Sequence, residues 1–228
     1  MLHLFRRGQA RSMLLSMALI AGIIVLAACS GSVDTTPSEN AARPSLEQIT
    51  IGISMYLLVD DLEDPNPAVS SARTEEELVG ILERMNEIWG QANLRLELVA
   101  LETLVVNRDV LKEVGTGNIQ AFFDRLGKSI PLDRTDSAPS LISGFYTRRV
   151  GGPNGITPLG SRWYMVIDEP SVFDHRVSSH EVGHILGLRH TLGDRGRLLY
   201  PGTNGMNLTT EEITLTRYVA MELLKTQE

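Results

Sequence analysis

Two kinds of apolar pattern run along the chain, and the first has the composition and period of β-strands. The segment ITIGISMYLLV at 49–59 is rich in β-branched and apolar residues, which is typical of a strand. Leucine alternates with charged residues over 94–98, a period of two that indicates a strand with one face in water. Apolar segments at 141–148 and 163–167 predict two further strands, and 156–159 predicts a very short extended piece between them.

The second pattern predicts four helices. The first helix begins after Thr74, whose side chain has capping-box spacing to Glu77. Its apolar residues recur at steps of four and three along one stripe, formed by Leu78, Leu82, Met85, Trp89 and Ala92. A shorter helix is expected at 119–126, and another carries the histidine-rich segment near residue 180. The last helix begins after Thr209, with Glu212 again at capping-box spacing.

The order of these elements predicts the fold class. A β–α–β start is followed by a variable insert, two or three strands, a helix, a loop and a final helix. This order favours an α+β fold, close to α/β, with a mixed twisted sheet. The 228 residues suit one globular domain plus a tail, and the 43% hydrophobic content can fill a core. The domain is placed at residues 46–228.

Residues 1–28 look like an export signal. A basic region with three arginines precedes the apolar run 13–28, which is short for a membrane-spanning helix. The run ends Leu-Ala-Ala, and Cys29, the only cysteine of the chain, follows. This ending resembles the lipobox of bacterial lipoproteins, which implies cleavage before Cys29 and acylation of its thiol. The alternatives are an uncleaved anchor helix and an ordinary signal peptide.

Residues 29–45 are predicted to be the lipidated cysteine and a flexible linker, because the segment is small, polar and contains proline. Ser30 is not the aspartate that would retain a lipoprotein at an inner membrane. The resemblance therefore implies a lipid-anchored protein of the bacterial cell envelope, at the outer membrane if the organism has one.

The net charge of −7 argues against nucleic acid as a partner, since nucleic-acid binding needs a basic face. Removal of the signal takes away three arginines and no acid, so acyl chains and not basic residues would hold the protein at a membrane.

The acidic loop at 60–67 raises the alternative of a Ca²⁺ site. It lacks EF-hand spacing, so a solvated acidic loop is favoured.

The segment HEVGHILGLRH at 180–190 holds three of the five histidines. Residues four apart on a helix lie one turn above each other, so His180 and His184 present two imidazoles to one point. Zn²⁺ is the usual occupant of this arrangement, and Glu181 can reach a water without being a ligand. Gly187 can end the helix in a left-handed conformation, which returns His190 as a third ligand. The alternative is a core helix with incidental histidines, but three imidazoles buried together are hard to satisfy without a metal.

The extended motif resembles the metzincin superfamily of zinc endopeptidases, most closely its matrixin-like bacterial members. The resemblance covers Ile49 to Lys225 and implies that Glu181 is the catalytic base, with an extended substrate bound along the edge strand before the histidine helix. The family turns beneath the metal at a methionine. Here Leu199 takes that place before Tyr200 and Pro201, and Met206 is the alternative that could replace it in space.

The sequence therefore predicts a zinc-dependent metalloendopeptidase that hydrolyses peptide bonds of proteins at the cell envelope, with one catalytic Zn²⁺. Its expected partners are a protein or peptide substrate and a membrane. The alternative is a non-catalytic envelope lipoprotein that uses the same fold for binding or assembly. Glu181 argues against this alternative, because a binding module needs no general base. His175, the other histidine after residue 29, is expected at the protein surface.

Overall fold

The computed structural model describes residues 47–126 and 141–225. Cys29, with the signal and linker segments around it, lies outside these residues, so their predicted roles stay predictions. The described strands are β1 (Ile49–Val59), β2 (Leu94–Val105), β3 (Ile142–Thr147), β4 (Gly155–Ile156) and β5 (Trp163–Ile167). The described helices are α1 (Glu75–Trp89), α2 (Arg108–Gly115), α3 (Gln120–Leu126), α4 (Asp174–Ile185) and α5 (Thr210–Lys225).

The strands form one mixed sheet in the order β2-β1-β3-β5-β4. β1 pairs in parallel with β2 and β3, β3 pairs in parallel with β5, and β4 alone runs antiparallel, against β5. The predicted α+β class with a mixed sheet is confirmed. β4 lies at one edge of this sheet, next to the strand that leads into α4.

Two apolar clusters cover the two faces of the sheet, because successive side chains of β1 point to opposite sides. Ile53 and Met55 belong to the larger cluster, which includes residues of α1, α4 and α5. Tyr56 and Leu58 belong to the smaller cluster, which includes residues of α2 and α3. β1 is therefore buried on both sides, which explains its nearly continuous apolar sequence.

Both predicted capping boxes are formed. The Thr74 side chain accepts a hydrogen bond from the Glu77 backbone N–H at 3.2 Å, and the Glu77 carboxylate accepts one from the Thr74 N–H at 2.7 Å. Thr209 and Glu212 repeat the pair before α5, with distances of 3.0 and 3.3 Å. No helix within residues 47–126 and 141–225 is long and apolar enough to cross a membrane.

The main differences from the prediction are a longer strand, an additional helix and a shorter strand. β2 continues to Val105, because an irregularity in its pairing with β1 passes over Val99 and breaks the alternation that marks its first half. α2 was not predicted, although Asn107 caps it and Val110 and Val114 have helical spacing. The extended piece is shorter than expected and is limited to Gly155–Ile156, since Pro158 follows almost at once and has no N–H to donate.

Replacement by alanine should lower the free energy of unfolding at one glycine and raise it at another. A Cβ at Gly144 in β3 would lie 2.5 Å from the fully buried hydroxyl of Tyr164, so Gly144→Ala should cost about 1–3 kcal/mol. A Cβ at Gly80 within α1 would meet its nearest atom at 3.9 Å, so Gly80→Ala should add about 0.5–1 kcal/mol. Thermal and denaturant unfolding measures both. Equal stability of Gly144→Ala and the parent would contradict the packing of Tyr164.

Candidate metal centre

The helix α4 ends at a sharp turn, after which the chain runs back along the side of the same helix. Gly187 has φ +87°, the left-handed region in which a side chain would be strained. Its N–H donates to the carbonyl of His184 at 3.1 Å, and the Leu188 N–H donates to the carbonyl of Gly183 at 2.8 Å. These two bonds form a Schellman motif, which satisfies the last carbonyls of the helix. His190 follows two residues after Leu188.

This turn brings the three histidines of the motif together. The Nε2 of His190 lies 3.0 Å from the Nε2 of His180 and 3.2 Å from that of His184. The ligand atoms of all three lie within 4.8 Å of one another. Two nitrogens of a tetrahedral zinc site are about 3.3 Å apart when each lies about 2.0–2.1 Å from the metal. The nitrogens that the sequence predicts as ligands therefore have nearly the spacing that Zn²⁺ requires.

The hydrogen bonds of the Nδ1 atoms of His180 and His184 determine whether their Nε2 atoms carry a lone pair. The Nδ1 of His180 donates to the Leu198 carbonyl at 2.8 Å, and the Nδ1 of His184 donates to the Leu188 carbonyl at 3.0 Å. Each neutral ring then has an unprotonated Nε2 that points toward its neighbours. Both of these Nε2 atoms are therefore available as metal ligands, and each lies close to the Nε2 of His190. The donor set therefore fits a metal ion, with backbone carbonyls orienting the ligands.

Burial favours the neutral form of two of these imidazoles, those of His180 and His190. It lowers the pKa of His180 to about 3, with smaller contributions from Arg176 and the neighbouring histidines. The pKa of His190 is also lowered, first by burial and then by the charge of His184. The neutral imidazole is the form that binds metals.

Glu181 lies beside this cluster and is held from the edge strand. Its side chain is buried, and the Thr157 hydroxyl donates to its Oε2 at 2.8 Å. A Cβ at Gly155 would lie 2.8 Å from its Oε1, so only glycine lets β4 approach so closely. Burial raises the pKa of Glu181 to about 7, although the Thr157 hydrogen bond and Arg176 oppose the rise. A carboxyl with such a pKa is suited to move protons near neutral pH.

Arg176 joins α4 to the loop that follows the third histidine. Its guanidinium is buried and donates to the carbonyls of Leu198 at 2.6 Å, Gly205 at 3.3 Å and Tyr200. The Leu198 carbonyl also accepts the Nδ1 hydrogen of His180. One side chain therefore holds the loop beneath the cluster, and burial lowers the pKa of this arginine.

Leu199 lies under the histidines, and Met206 lies farther out. Leu199 is fully buried, and a Cβ at Gly183, the residue before His184, would lie 3.0 Å from its Cδ2. Leu199 therefore packs directly against the backbone of α4. Met206 is half-buried at the border of the core, where its carbonyl accepts a hydrogen bond from Gln91 at 2.9 Å. These positions favour Leu199 over Met206 as the hydrophobic floor.

An open cleft of about 440 Å³ contains the three histidines and Glu181. One wall is the edge strand region from Gly152 to Thr157, and the opposite wall includes Pro201 and Gly202. Tyr200 lies next to this wall and is half-buried. A chain segment can thus enter between β4 and the loop after α4, directly over the histidine cluster.

Three residues of the site were not predicted, and their signals in the sequence are weak. Gly155 and Thr157 belong to a turn-rich segment whose contact with Glu181 depends on sheet pairing. Arg176 precedes His180 by four residues, so it lies on the same face of α4, which could have suggested a role.

The structure also bears on two other expectations. His175 was expected at the surface, but its side chain is only 15% exposed, and Arg84 donates to its Nδ1 at 3.1 Å. Asp60 in the acidic loop accepts hydrogen bonds from Ser70 and Asn66 and pairs with Arg108. Among the described residues, the histidine cluster is the group of side chains placed to hold a metal, so Ca²⁺ at the acidic loop gains no support.

No protein-family model and no curated protein matches the chain. A chain in the structure of a chaperone–substrate complex is similar to it with a TM-score of 0.56 and 14% identity, over 77% of this chain and 35% of that one. This chain therefore spans about a third of the length of that match. Archaemetzincin from Methanopyrus kandleri is similar with a TM-score of 0.49 and 13% identity, over 78% of this chain and 98% of that one. At such identities the likeness concerns the fold, and function has to be argued from the side chains.

The buried position of Leu199 leads to a stability prediction. Leu199→Ala should cost about 2–5 kcal/mol by opening a cavity under the histidines. Leu199→Met should cost less than about 1.5 kcal/mol, because the two side chains have similar volumes. Met206→Ala should cost less than Leu199→Ala, since Met206 is only half-buried. Denaturant unfolding and Zn²⁺ titration of the three variants measure this. If Leu199→Ala left the free energy of unfolding unchanged and Met206→Ala lowered it, Met206 would be the hydrophobic floor instead.

Proposed function

We propose that the protein is a zinc-dependent metalloendopeptidase that hydrolyses peptide bonds in proteins. The observation that carries this proposal is the convergence of three imidazole nitrogens, with contacts of 3.0 and 3.2 Å, next to a buried carboxyl group. His180, His184 and His190 would hold the metal. Three protein ligands leave a fourth position open, which distinguishes a catalytic zinc site from a structural one.

The roles of the protein groups follow from their positions. Zn²⁺, when bound by the histidines, supplies Lewis acidity that polarises the scissile carbonyl and makes water more acidic. Glu181 accepts the proton of the attacking water and delivers it to the leaving amine. Thr157 holds the carboxylate at 2.8 Å, so the base does not need to reorganise before it acts.

The substrate would bind as an extended segment along β4. This strand pairs with β5 on one side and is the edge of the described sheet, so its other side can pair with a peptide backbone. The segment would then pass between β4 and the wall formed by Pro201 and Gly202. This path would place a peptide bond over the histidine cluster and beside Glu181.

The other candidate is a non-catalytic envelope protein that binds with the same fold. It would need the metal cluster or the cleft, but it has no use for a buried carboxyl group beside the histidines. The presence of Glu181, together with the Gly155 and Thr157 contacts that hold it, favours the enzyme.

Two variants should separate metal binding from catalysis. His184→Ala should lose the Zn²⁺ that the parent binds in about a 1:1 ratio. Glu181→Gln should keep Zn²⁺ and lose about 10²–10⁴-fold in peptidase activity, because glutamine cannot accept a proton from water. Elemental analysis measures the metal, and cleavage of a broad peptide library measures activity.

His175→Ala is the matched control, since this histidine lies on the same helix but outside the cluster. It should keep the metal. Full Zn²⁺ occupancy in His184→Ala would contradict the assigned ligands. Cleavage by Glu181→Gln at the parent rate would contradict the assigned base, and a parent protein that cleaves nothing in the library would favour the binding candidate.

We also propose that Cys29 carries a lipid that anchors the domain to the cell envelope, at the outer membrane if the organism has one. The proposal depends on the lone cysteine after Leu-Ala-Ala and on the polar segment that follows it. The net negative charge leaves the acyl chains, not basic residues, to bind the membrane.

Cys29→Ser should therefore move the protein out of the membrane fraction, because serine has no thiol to acylate. Ser30→Ala is the matched control and should stay in the membrane fraction. Fractionation and mass spectrometry of the mature N-terminus measure the outcome. An unmodified thiol on that N-terminus would refute the anchor.

A further inference from the structure

The cleft over the histidines is the middle part of a longer channel. It shares Thr157, His184 and His190 with a second cavity of about 370 Å³. It shares Gly152 and Pro153 with a third cavity of about 470 Å³. The histidine cluster therefore has an adjoining cavity on each side, and an extended chain bound at the centre would continue into both.

Each outer cavity is lined by an exposed arginine. Arg189 lines the second cavity, and Arg149 lines the third. Neither forms an ion pair or a hydrogen bond among the residues that the structure describes. The remaining charged residues of the channel are Arg176 and Glu181, which are both buried. The exposed charge along the channel is thus positive, although the whole chain carries −7.

Both arginines extend from backbone that the fold holds in place. Arg189 follows Leu188, whose N–H closes the turn at the end of α4 at 2.8 Å from its acceptor. Arg149 lies two residues before Gly151, which has φ +74°. A Cβ at Gly151 would lie 2.4 Å from the Cα of Gly117, so this segment packs tightly against the turn after α2. The fold therefore holds the backbone of both arginines in place, and their exposed side chains extend from these fixed points.

We propose that the channel takes polypeptide segments that carry acidic residues on both sides of the bond placed at the histidine cluster. This inference rests on the proposed peptidase function and adds the class of substrate. Carboxylates of the bound chain would pair with Arg149 on one side and with Arg189 on the other, where guanidinium groups suit carboxylate geometry.

The acidic surface elsewhere does not cancel this preference. The Debye length is about 8 Å at physiological ionic strength, so charges beyond that distance are largely screened. The charges that line the channel then decide which chains enter, and like charges placed against them are rejected. A segment rich in lysine would meet both arginines without a compensating carboxylate.

Three fluorescent peptides of equal length test the inference. They share an apolar centre and carry aspartate, asparagine or lysine on both sides of it. Binding is measured by anisotropy on the full-length, zinc-loaded Glu181→Gln protein, and cleavage is measured with the parent. The aspartate peptide should bind about tenfold or more tightly than the lysine peptide at physiological salt, and the difference should shrink as more salt is added.

Charge reversal identifies the residues responsible. In the Glu181→Gln background, the double change Arg149→Glu with Arg189→Glu should reverse the order, so that the lysine peptide binds best. The matched control is Arg95→Glu, an exposed arginine on β2 at the opposite edge of the sheet from β4. It should leave the order of the three peptides unchanged.

The outcomes separate this inference from the proposed function. Cleavage of all three peptides with equal efficiency would overturn the acidic preference and leave the peptidase intact. Binding in the order aspartate, asparagine, lysine without any cleavage would support the preference and contradict the peptidase. Equal binding of the three peptides, no binding at all, or an order that survives the double reversal would overturn the inference.

Discussion

The turn at Gly187 is the constraint on which the candidate centre depends. If α4 continued as a helix, His190 would lie about 15 Å along the axis from His180 and on another face. The left-handed conformation of Gly187 brings the two Nε2 atoms to 3.0 Å instead. The same glycine faces α5, where a Cβ would lie 3.3 Å from the Val219 side chain. One residue thus controls both the third histidine and the packing of the last helix against the turn.

Close backbone contacts organise the rest of the site. Gly183 lets Leu199 pack against α4, and Gly155 lets the edge strand touch the carboxyl group of Glu181. Buried Arg176 ties the loop after the histidines to the same helix through three carbonyls. The histidine cluster, Glu181 and Leu199 are therefore all in contact with one helix, α4, and disturbance of that helix would affect all of them together.

The charge distribution separates the channel from the body of the protein. Acidic residues outnumber basic ones in the chain, yet the exposed charges at the two sides of the histidine cluster are arginines without carboxylate partners among the described residues. The arginines of the ion-pair networks, such as Arg73 with Asp174, lie elsewhere and stabilise the start of α4. The arginines that line the channel and those that stabilise the start of α4 are thus different residues.

The sequence by itself determined the elements whose signals are local. The strand 49–59, the two capping boxes and the helix bearing His180 and His184 follow from side-chain periods and short-range hydrogen bonds. It also indicated that Gly187 ends the helix, because only glycine takes positive φ without strain. The extension of β2 past an irregularity and the capped helix α2 were missed, since a period of two fails at a bulge and eight residues carry few periodic positions.

Only the tertiary structure decided the contacts between residues far apart in the chain. The approach of Gly155 and Thr157 to Glu181, the three carbonyls around Arg176 and the lack of a partner for Arg149 among the described residues depend on how the sheet pairs and how the loops return. No local pattern encodes them, because each joins segments whose separation in space is set by packing of the whole domain. The sequence named the groups that could hold a metal, and the fold decided which other groups surround them.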